Sequence, residues 1–486
     1  MFLFLRLLGL LLVLLVAVLL VNTFRLPNHQ LGSVPAAPPV AIEPGLATEH
    51  LAGALRIPSV SRLNYAETDT VPFANLLTYY QQTFPLVHER LRRQVVNDFG
   101  LLYEWPGTDR SLKPLLLLAH QDVVPVEEGT EKAWTRPPFA GQVADGFLYG
   151  RGALDDKLNV IGQLEAVEYL LRTGFQPKRT VLLAFGHDEE TTGKKGATAL
   201  AALLKQQHPQ LEMVLDEGGL IKTDGVGGVT EPVALVGVSE KGYLTLNLTA
   251  QDHGGHSSMP PALTTIGRVS AAVAKLEANP FPARLDGGVS GLLSYLAPTV
   301  PFGRRLIFAN QWLFGTFIKR TLASTLSGNA TMRTTTAPTL IRGGDKENVL
   351  PAQAVATVNF RLLPGDSVAA VIERVKQVIA DPEIKVSIVG EGRAASPVSR
   401  TDNAAFTHLH RTIKSVFPQA LVAPYVVVGS TDARAYASLC PEATYRFMPV
   451  LMNQEDIERL HGINERLGVT AYQDVIRFYV QLLRTE

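Results

Sequence analysis

The sequence describes an α/β protein built on a mainly parallel sheet. Short apolar runs stand at 115–119 (LLLLA), 180–186 (TVLLAFG) and 211–215 (LEMVL). Longer amphipathic stretches, 158–172 and 196–207, lie among them. Buried strands separated by helices are the pattern of a parallel sheet with helices on its faces. The middle of the chain reads differently. Residues 243–250 (YLTLNLTA) and 354–360 (AVATVNF) alternate with a period of two, as half-exposed antiparallel strands do. Helical patterns at 263–277 and 366–380 and a further strand at 384–390 (IKVSIVG) accompany them. A smaller α+β domain is therefore expected between about 241 and 395, inserted into a larger domain made of 46–240 and 396–486. Residues 280–345 are the least legible part.

Ahead of the domains, residues 7–21 (LLGLLLVLLVAVLLV) form an unbroken apolar run between Arg6 and Arg25. Extended to Phe24 it is 18 residues, or roughly 27 Å of helix, enough to cross a hydrocarbon core. A cleaved signal peptide is the competing reading, but no small-residue cleavage site follows Val21. Residues 1–24 are thus expected to be a membrane anchor, or a signal segment if cleaved. Residues 25–45 hold Pro27, Pro35, Pro38, Pro39 and Pro44 and read as a semi-extended tether. Either reading places the folded part outside the cytoplasm, in the periplasm, a lumen or the extracellular space.

The charges balance, with 45 Lys+Arg against 45 Asp+Glu, which argues against attraction of the whole protein to nucleic acid. Apolar residues at 46% allow a large core. One cysteine, Cys440, excludes a disulfide framework and a cysteine-rich metal site. Any metal must be held by histidines and carboxylates.

Those residue types gather at strand ends, where α/β sheets place their sites. His120 and Asp122 follow the first apolar run. Two residues apart, they can share a site, the carboxylate orienting the imidazole. Asp155 and Asp156 open a helix after Gly150-Arg151-Gly152, a place where a capping aspartate is also common. Glu189 and Glu190 follow the second run, Asp216 ends the third, and His461 lies downstream in LHGINE. Each has an ordinary explanation, as a solvated acid or a helix cap. Together they form a set of oxygen and imidazole ligands suited to zinc or another divalent metal. Two such ions can activate one water, and a spare Glu beside them can carry its proton.

The series His120-x-Asp122, Gly-Arg-Gly-Ala-Leu-Asp155-Asp-Lys, Glu189-Glu190, Asp216-Glu-Gly-Gly, Gly255-His256-Ser-Ser and His461-Gly-x-Asn-Glu resembles the co-catalytic di-zinc metallopeptidase family. Aminoacylase and glutamate-releasing carboxypeptidase belong to that family, and the resemblance runs in order from about 46 to 486. Within it the sequence resembles the N-fatty-acyl-amino-acid synthase/hydrolase and carboxypeptidase S branch. It implies two Zn2+ per subunit, with Co2+ or Mn2+ as substitutes. His120 and His461 would each bind one metal, Asp155 would bridge, and Glu190 and Asp216 would complete the two shells. The family pattern selects the first residue of each pair Asp155/Asp156 and Asp216/Glu217; spacing alone does not. Glu189 would be the general base and acid, and Asp122 would hold His120. The inserted domain would be a ferredoxin-like lid or dimerisation domain. From it His256 would stabilise the oxyanion, often across a homodimer. Asn348 and Arg361 match polar lid positions facing the substrate, and Gly429, Thr431 and Arg434 match a substrate loop. For Arg361 and Arg434 an internal ion pair is an equal alternative.

The activity implied is cleavage, and in the reverse direction formation, of the amide bond of N-acyl amino acids. A membrane-tethered carboxypeptidase or dipeptidase acting on short peptides is the alternative. A non-catalytic binding protein on the same fold would be expected to lack a ligand or the base, and none is missing.

Overall fold

A computed structural model describes residues 1–486. Ten strands form one mixed sheet. At its centre Leu115–His120 lies between Val181–Gly186 and Met213–Asp216, parallel to both, and Thr444–Arg446 continues the parallel set. The strand Leu115–His120 has no exposed residue, as the continuous apolar run requires of a strand covered on both faces. The register aligns the strand ends: His120 pairs with Gly186, and Leu117 with Leu215. The residues that follow these strands are thereby delivered to one edge of the sheet. The helix Lys157–Arg172 covers one face and is itself covered by the C-terminal helix Val469–Arg484. Gly162 permits that contact, because a Cβ there would stand 3.0 Å from Val475 Cγ1.

A second sheet has four strands, all antiparallel, in the order Thr335–Gly343, Gln353–Leu362, Gly242–Gln251, Ile384–Arg393. With the helices Thr265–Ala278 and Val368–Ile379 the chain order is strand–helix–strand–strand–helix–strand, the ferredoxin-like arrangement. Its core is separate: Leu244, Leu246 and Leu248 on one strand meet Ala356, Val358 and Phe360 on the next. The two-residue alternation of the sequence is the cause, since only one face of this sheet is buried.

Residues 280–345 are mainly helical as far as Met332 and end in the strand Thr335–Gly343. Gly287–Leu296, Phe302–Ala309, Gln311–Ala323 and Leu326–Met332 interrupt the second sheet's chain order. The first of these packs on the large sheet: Gly288 lies against Val426 of the strand Leu421–Val427, and Tyr295 and Leu296 join the main core. Within 241–395 this helix therefore packs outside the second sheet's own core. Alternation and helical periodicity report which face is buried and say nothing of which sheet buries it.

The apolar run forms a helix from Phe2 to Phe24, longer than the 18 residues expected. It is long and apolar enough to cross a membrane, and only Thr23 is buried. The proline-rich stretch has no helix or strand between Leu26 and Glu43 but is laid along the protein. The Gln30 side chain donates to the carbonyls of Tyr295 (3.1 Å) and Val422 (2.8 Å), and Ala37 N donates to Ser415 O (2.8 Å).

His410, on the helix Ala404–Val416, is buried with no partner for Nε2. Burial pushes its pKa down from 6.5 to about 4, helped by Lys414. The unfolded chain takes up this proton below its ordinary pKa, whereas the folded chain resists until far lower pH. Stability is therefore complete above that ordinary value and declines as the pH falls towards about 4. Urea unfolding should show about 2 kcal/mol lost between pH 8 and pH 5 through this group. The His410→Leu variant should lose that share of the slope; an unchanged slope counts against the assignment.

Candidate active site

Five loops converge at the aligned strand ends. Asp155 stands between two imidazoles: its Oδ1 is 2.9 Å from His120 Nε2 and its Oδ2 is 3.0 Å from His461 Nε2. Glu190 Oε1 approaches His461 Nε2 at 3.2 Å, and Glu217 Oε1 lies 3.6 Å from His120 Nε2. Ligand atoms of His120, Asp155 and Glu190 fall within 4.8 Å of one another, as do those of His120, Asp156 and Glu217. One histidine and one acid thus stand on each side of a shared aspartate.

Asp216, expected from the resemblance to complete one metal's shell, stands apart from these groups. Its Oδ2 accepts from Ala433 N at 2.6 Å, and it belongs to neither cluster. The next residue, Glu217, faces His120 instead. Asp216 is the last residue of a strand, and its side chain points towards the Gly429–Arg434 loop; one residue further the chain has left the strand and turned towards His120. The adjacent acids made either choice open in the sequence.

Asp122 is buried and bonded to four residues. Its backbone carbonyl lies 3.0 Å from His120 Nδ1 and its Oδ1 3.4 Å from the same nitrogen. Its carboxylate also accepts from Glu189 N (3.2 Å), Glu190 N (3.1 Å) and Ser61 Oγ (2.6 Å). Asp156 accepts from His120 N at 3.2 Å and from the Asn159 side chain. Glu465, which sequence reasoning left as part of a motif, ties the remaining loops together. It accepts from Gly152 N, Leu154 N and Asp155 N at 3.1, 2.7 and 3.2 Å and pairs with Arg151 at 2.6 Å. Arg151 in turn donates to the carbonyls of His461 and Gly462, both at 3.1 Å. Breaking a buried pair of this kind typically costs about 3–5 kcal/mol, because the surviving charge is stranded.

The electrostatics follow from crowding. Burial pushes the Glu217 carboxyl up to about 8, and Asp155 beside it adds to the shift. Burial also raises Glu189, with His120 opposing and Glu217, Asp432 and Glu190 reinforcing. For Asp155 burial acts upward, but the two imidazoles outweigh it and hold the carboxyl below its ordinary value. Bonds to Asp155 and Glu190 lift His461 to about 10. Protons thus do part of the work of neutralising a surplus of acid. A divalent cation does the same without protonating the ligands, and the imidazole and carboxylate donors fit it.

Beside these groups is a cavity of about 490 Å³, whose walls include Glu189, Glu190, His461, Tyr243, Arg361 and Arg393. The last three are cross-strand neighbours at one end of the second sheet: Tyr243 is opposite Arg361 on one side and Arg393 on the other. The Arg361 guanidinium lies over the Tyr243 ring at 4.9 Å, and neither arginine has a carboxylate partner within the 4.0 Å that defines an ion pair. Burial lowers the pKa of both, and the nearby Arg434 adds repulsion. Gly429, Thr431 and Arg434 also line the cavity, but buried Glu240 engages two of them. It accepts from Thr431 Oγ1 at 3.0 Å and from Arg434 Nε at 2.5 Å. The internal alternative for Arg434 is the one observed, whereas Arg361 is unpaired. Arg393 was not singled out in the sequence, where no motif marks it; only strand pairing brings it here.

His256 and Asn348 lie elsewhere. His256 sits exposed on a two-stranded ribbon, Gly255–His256 with Val349–Leu350, its Nδ1 accepting from Ser258 N at 3.1 Å. Asn348 O accepts from Ser257 N at 3.2 Å. Neither lines the cavity of its own chain.

The fold and the paired histidine–acid clusters are those of a metallopeptidase. The chain belongs to peptidase family M20/M25/M40, whose model matches residues 116–485. It is 40% identical over 485 residues to the N-fatty-acyl-amino acid synthase/hydrolase PM20D1 of Xenopus tropicalis, covering 97% of this chain and 93% of that one. It is 33% identical to carboxypeptidase S of Saccharomyces cerevisiae, covering 90% and 83%. Among solved structures, the M20 metallo-carboxypeptidase Sso-CP2 of Sulfolobus solfataricus superposes with a TM-score of 0.66 at 18% identity, covering 90% and 98%. The YXEP protein of Bacillus subtilis, a dinuclear metal-binding M20 peptidase, does so with a TM-score of 0.54 at 15% identity, covering 91% and 100%.

Proposed function

We propose that this chain hydrolyses the amide bond of N-acyl amino acids, N-fatty-acyl amino acids among them, with two divalent metal ions, zinc by preference. The observation that carries the reading is Asp155 held between His120 and His461, next to a cavity with two unpaired arginines. His120 and Glu217 would hold one ion, His461 and Glu190 the other, and Asp155 both. Bound there, the pair would supply an activated water and a polarised amide carbonyl. Glu189, on the cavity wall and held by Asp122 through its backbone, accepts the water proton and passes it to the leaving nitrogen. Arg361 and Arg393 receive the substrate carboxylate; bidentate guanidinium–carboxylate pairing suits that task. Hydrolysis and condensation share one transition state, so the same groups serve synthesis.

The similarity to a carboxypeptidase S supports a second reading, cleavage of the last peptide bond of a short peptide. A C-terminal carboxylate would meet the same arginines. Amino-acid release from a panel of N-acyl amino acids of graded chain length, beside dipeptides, separates the two. His256 and Asn348 would act from the second copy in a homodimer, since neither reaches its own cavity. The helix Phe2–Phe24 would span a membrane and hold the catalytic part outside the cytoplasm.

Elemental analysis of purified variants tests the ligands: Glu217→Gln should lower bound metal, while Asp216→Asn should lower it less. The reverse order overturns the choice. Glu189→Gln should keep its metal and lose about 10²–10⁴ in turnover. Arg361→Ala and Arg393→Ala should each raise KM roughly tenfold or more for substrates with a free carboxylate. Methyl esters of the same substrates should be little affected; equal losses on both would remove the carboxylate role. Mixing Glu189→Gln and His256→Ala subunits should restore part of the activity neither has alone, and no recovery in a proven mixed dimer rules out the crossed site.

A further inference from the structure

Residues 287–344 contain no Asp or Glu and carry Arg304, Arg305, Lys319, Arg320, Arg333 and Arg342, in a chain whose charges balance as a whole. Within this segment the helices Phe302–Ala309 and Gln311–Ala323 meet at Asn310. They expose large apolar side chains: Phe302 is 50% exposed, Trp312 62% and Phe317 58%, with Leu313 beside them at 44%. Exposed aromatics this close together need an occupant.

The position of this pair of helices identifies one. Asn310 is buried against the last turn of the apolar helix Phe2–Phe24. Its Nδ2 donates to Leu19 O at 3.1 Å, and its Oδ1 accepts from Asn22 Nδ2 at 2.9 Å. Thr23 is fully buried at this joint, and the Phe24 and Phe302 rings are 6.0 Å apart. Trp312 Nε1 donates to the same Asn310 Oδ1 at 3.4 Å. The polar end of an otherwise apolar helix is thus clasped by two helices that expose aromatics and whose charged residues are all cations. Tryptophan with its polar edge satisfied, beside Lys and Arg, is the composition that settles at the boundary between headgroups and acyl chains.

We propose that the helices Phe302–Ala309 and Gln311–Ala323 lie in the headgroup layer of an anionic phospholipid bilayer, beside the point where the apolar helix leaves it. The inference rests on the reading that Phe2–Phe24 spans that bilayer. Charge complementarity favours lipid over a second copy of this chain, because two copies of a purely cationic face repel. Lys319 and Arg320 add attraction to anionic headgroups, and Phe302, Trp312, Leu313 and Phe317 enter the boundary. A second attachment would restrain the catalytic body from tumbling about its anchor.

Trp312 offers a direct readout, because the other two tryptophans, Trp105 and Trp134, are buried at 5% and 7%. The full chain is reconstituted into phosphatidylcholine–phosphatidylglycerol vesicles carrying a nitroxide lipid labelled near the headgroup. Strong quenching by the nitroxide and protection from aqueous iodide are expected, with both signals lost in Trp312→Phe. Lys319→Glu with Arg320→Glu, or omission of phosphatidylglycerol, should weaken the quenching. Carbonate extraction of the same vesicles reads the anchor separately: release of the protein fails the spanning reading. Retention with Trp312 open to iodide overturns the headgroup platform. Protection from iodide without nitroxide quenching also overturns it, since protein then covers the patch. Quenching that is unchanged without phosphatidylglycerol overturns its preference for anionic lipid.

Discussion

The structure depends on a surplus of negative charge held at the end of a buried sheet. Asp122, Asp155, Asp156, Glu189, Glu190 and Glu217 are packed around two imidazoles, largely withdrawn from water, with Asp216 close behind. Burial, with repulsion from neighbouring acids added, favours their protonated forms, and Glu217 is lifted to about 8. The fold therefore needs fixed donors to hold them and a cation to complete them. The first need is met by backbone NH groups and Arg151; the second is the chemical reason for expecting metal.

The loops are shaped by buried carboxylates that do not line the cavity. Asp122 gathers the Glu189–Glu190 backbone and the His120 ring, Glu465 gathers the Asp155 loop and Arg151, and Glu240 gathers Thr431, Arg434 and Arg446. Each is a buried acid with several donors, so each loop has one favoured path. Glu189, the proposed base, is positioned from behind by its own backbone bond, which leaves its side chain free at the cavity wall.

The second sheet contributes differently. It offers positive charge at the end of two strands, Arg361 and Arg393 on either side of Tyr243, facing the acids across the cavity. An N-acyl amino acid has matching polarity, with an amide for the metal side and a carboxylate for the arginine side. The aromatic, cationic helices at 302–323 belong to the same chain segment but stand against the apolar helix.

Much of this was legible because it is local. A strand buried on both faces must be an apolar run, an antiparallel strand buried on one face must alternate, and a metal ligand must be His or an acid in a chain with one cysteine. The ordered motifs therefore named His120, Asp122, Asp155, Glu189, Glu190 and His461 as candidates, and these residues do meet. What the sequence could not determine depends on direction and distance. Whether Asp216 or Glu217 faces His120 turns on where the strand ends. That Arg393 joins Arg361 turns on strand register, that Arg434 is taken by Glu240 turns on a contact 194 residues away in sequence, and that His256 lies outside its own cavity turns on how the two sheets are set together. Periodicity encodes which face of an element is buried; only the assembled fold decides which partner buries it.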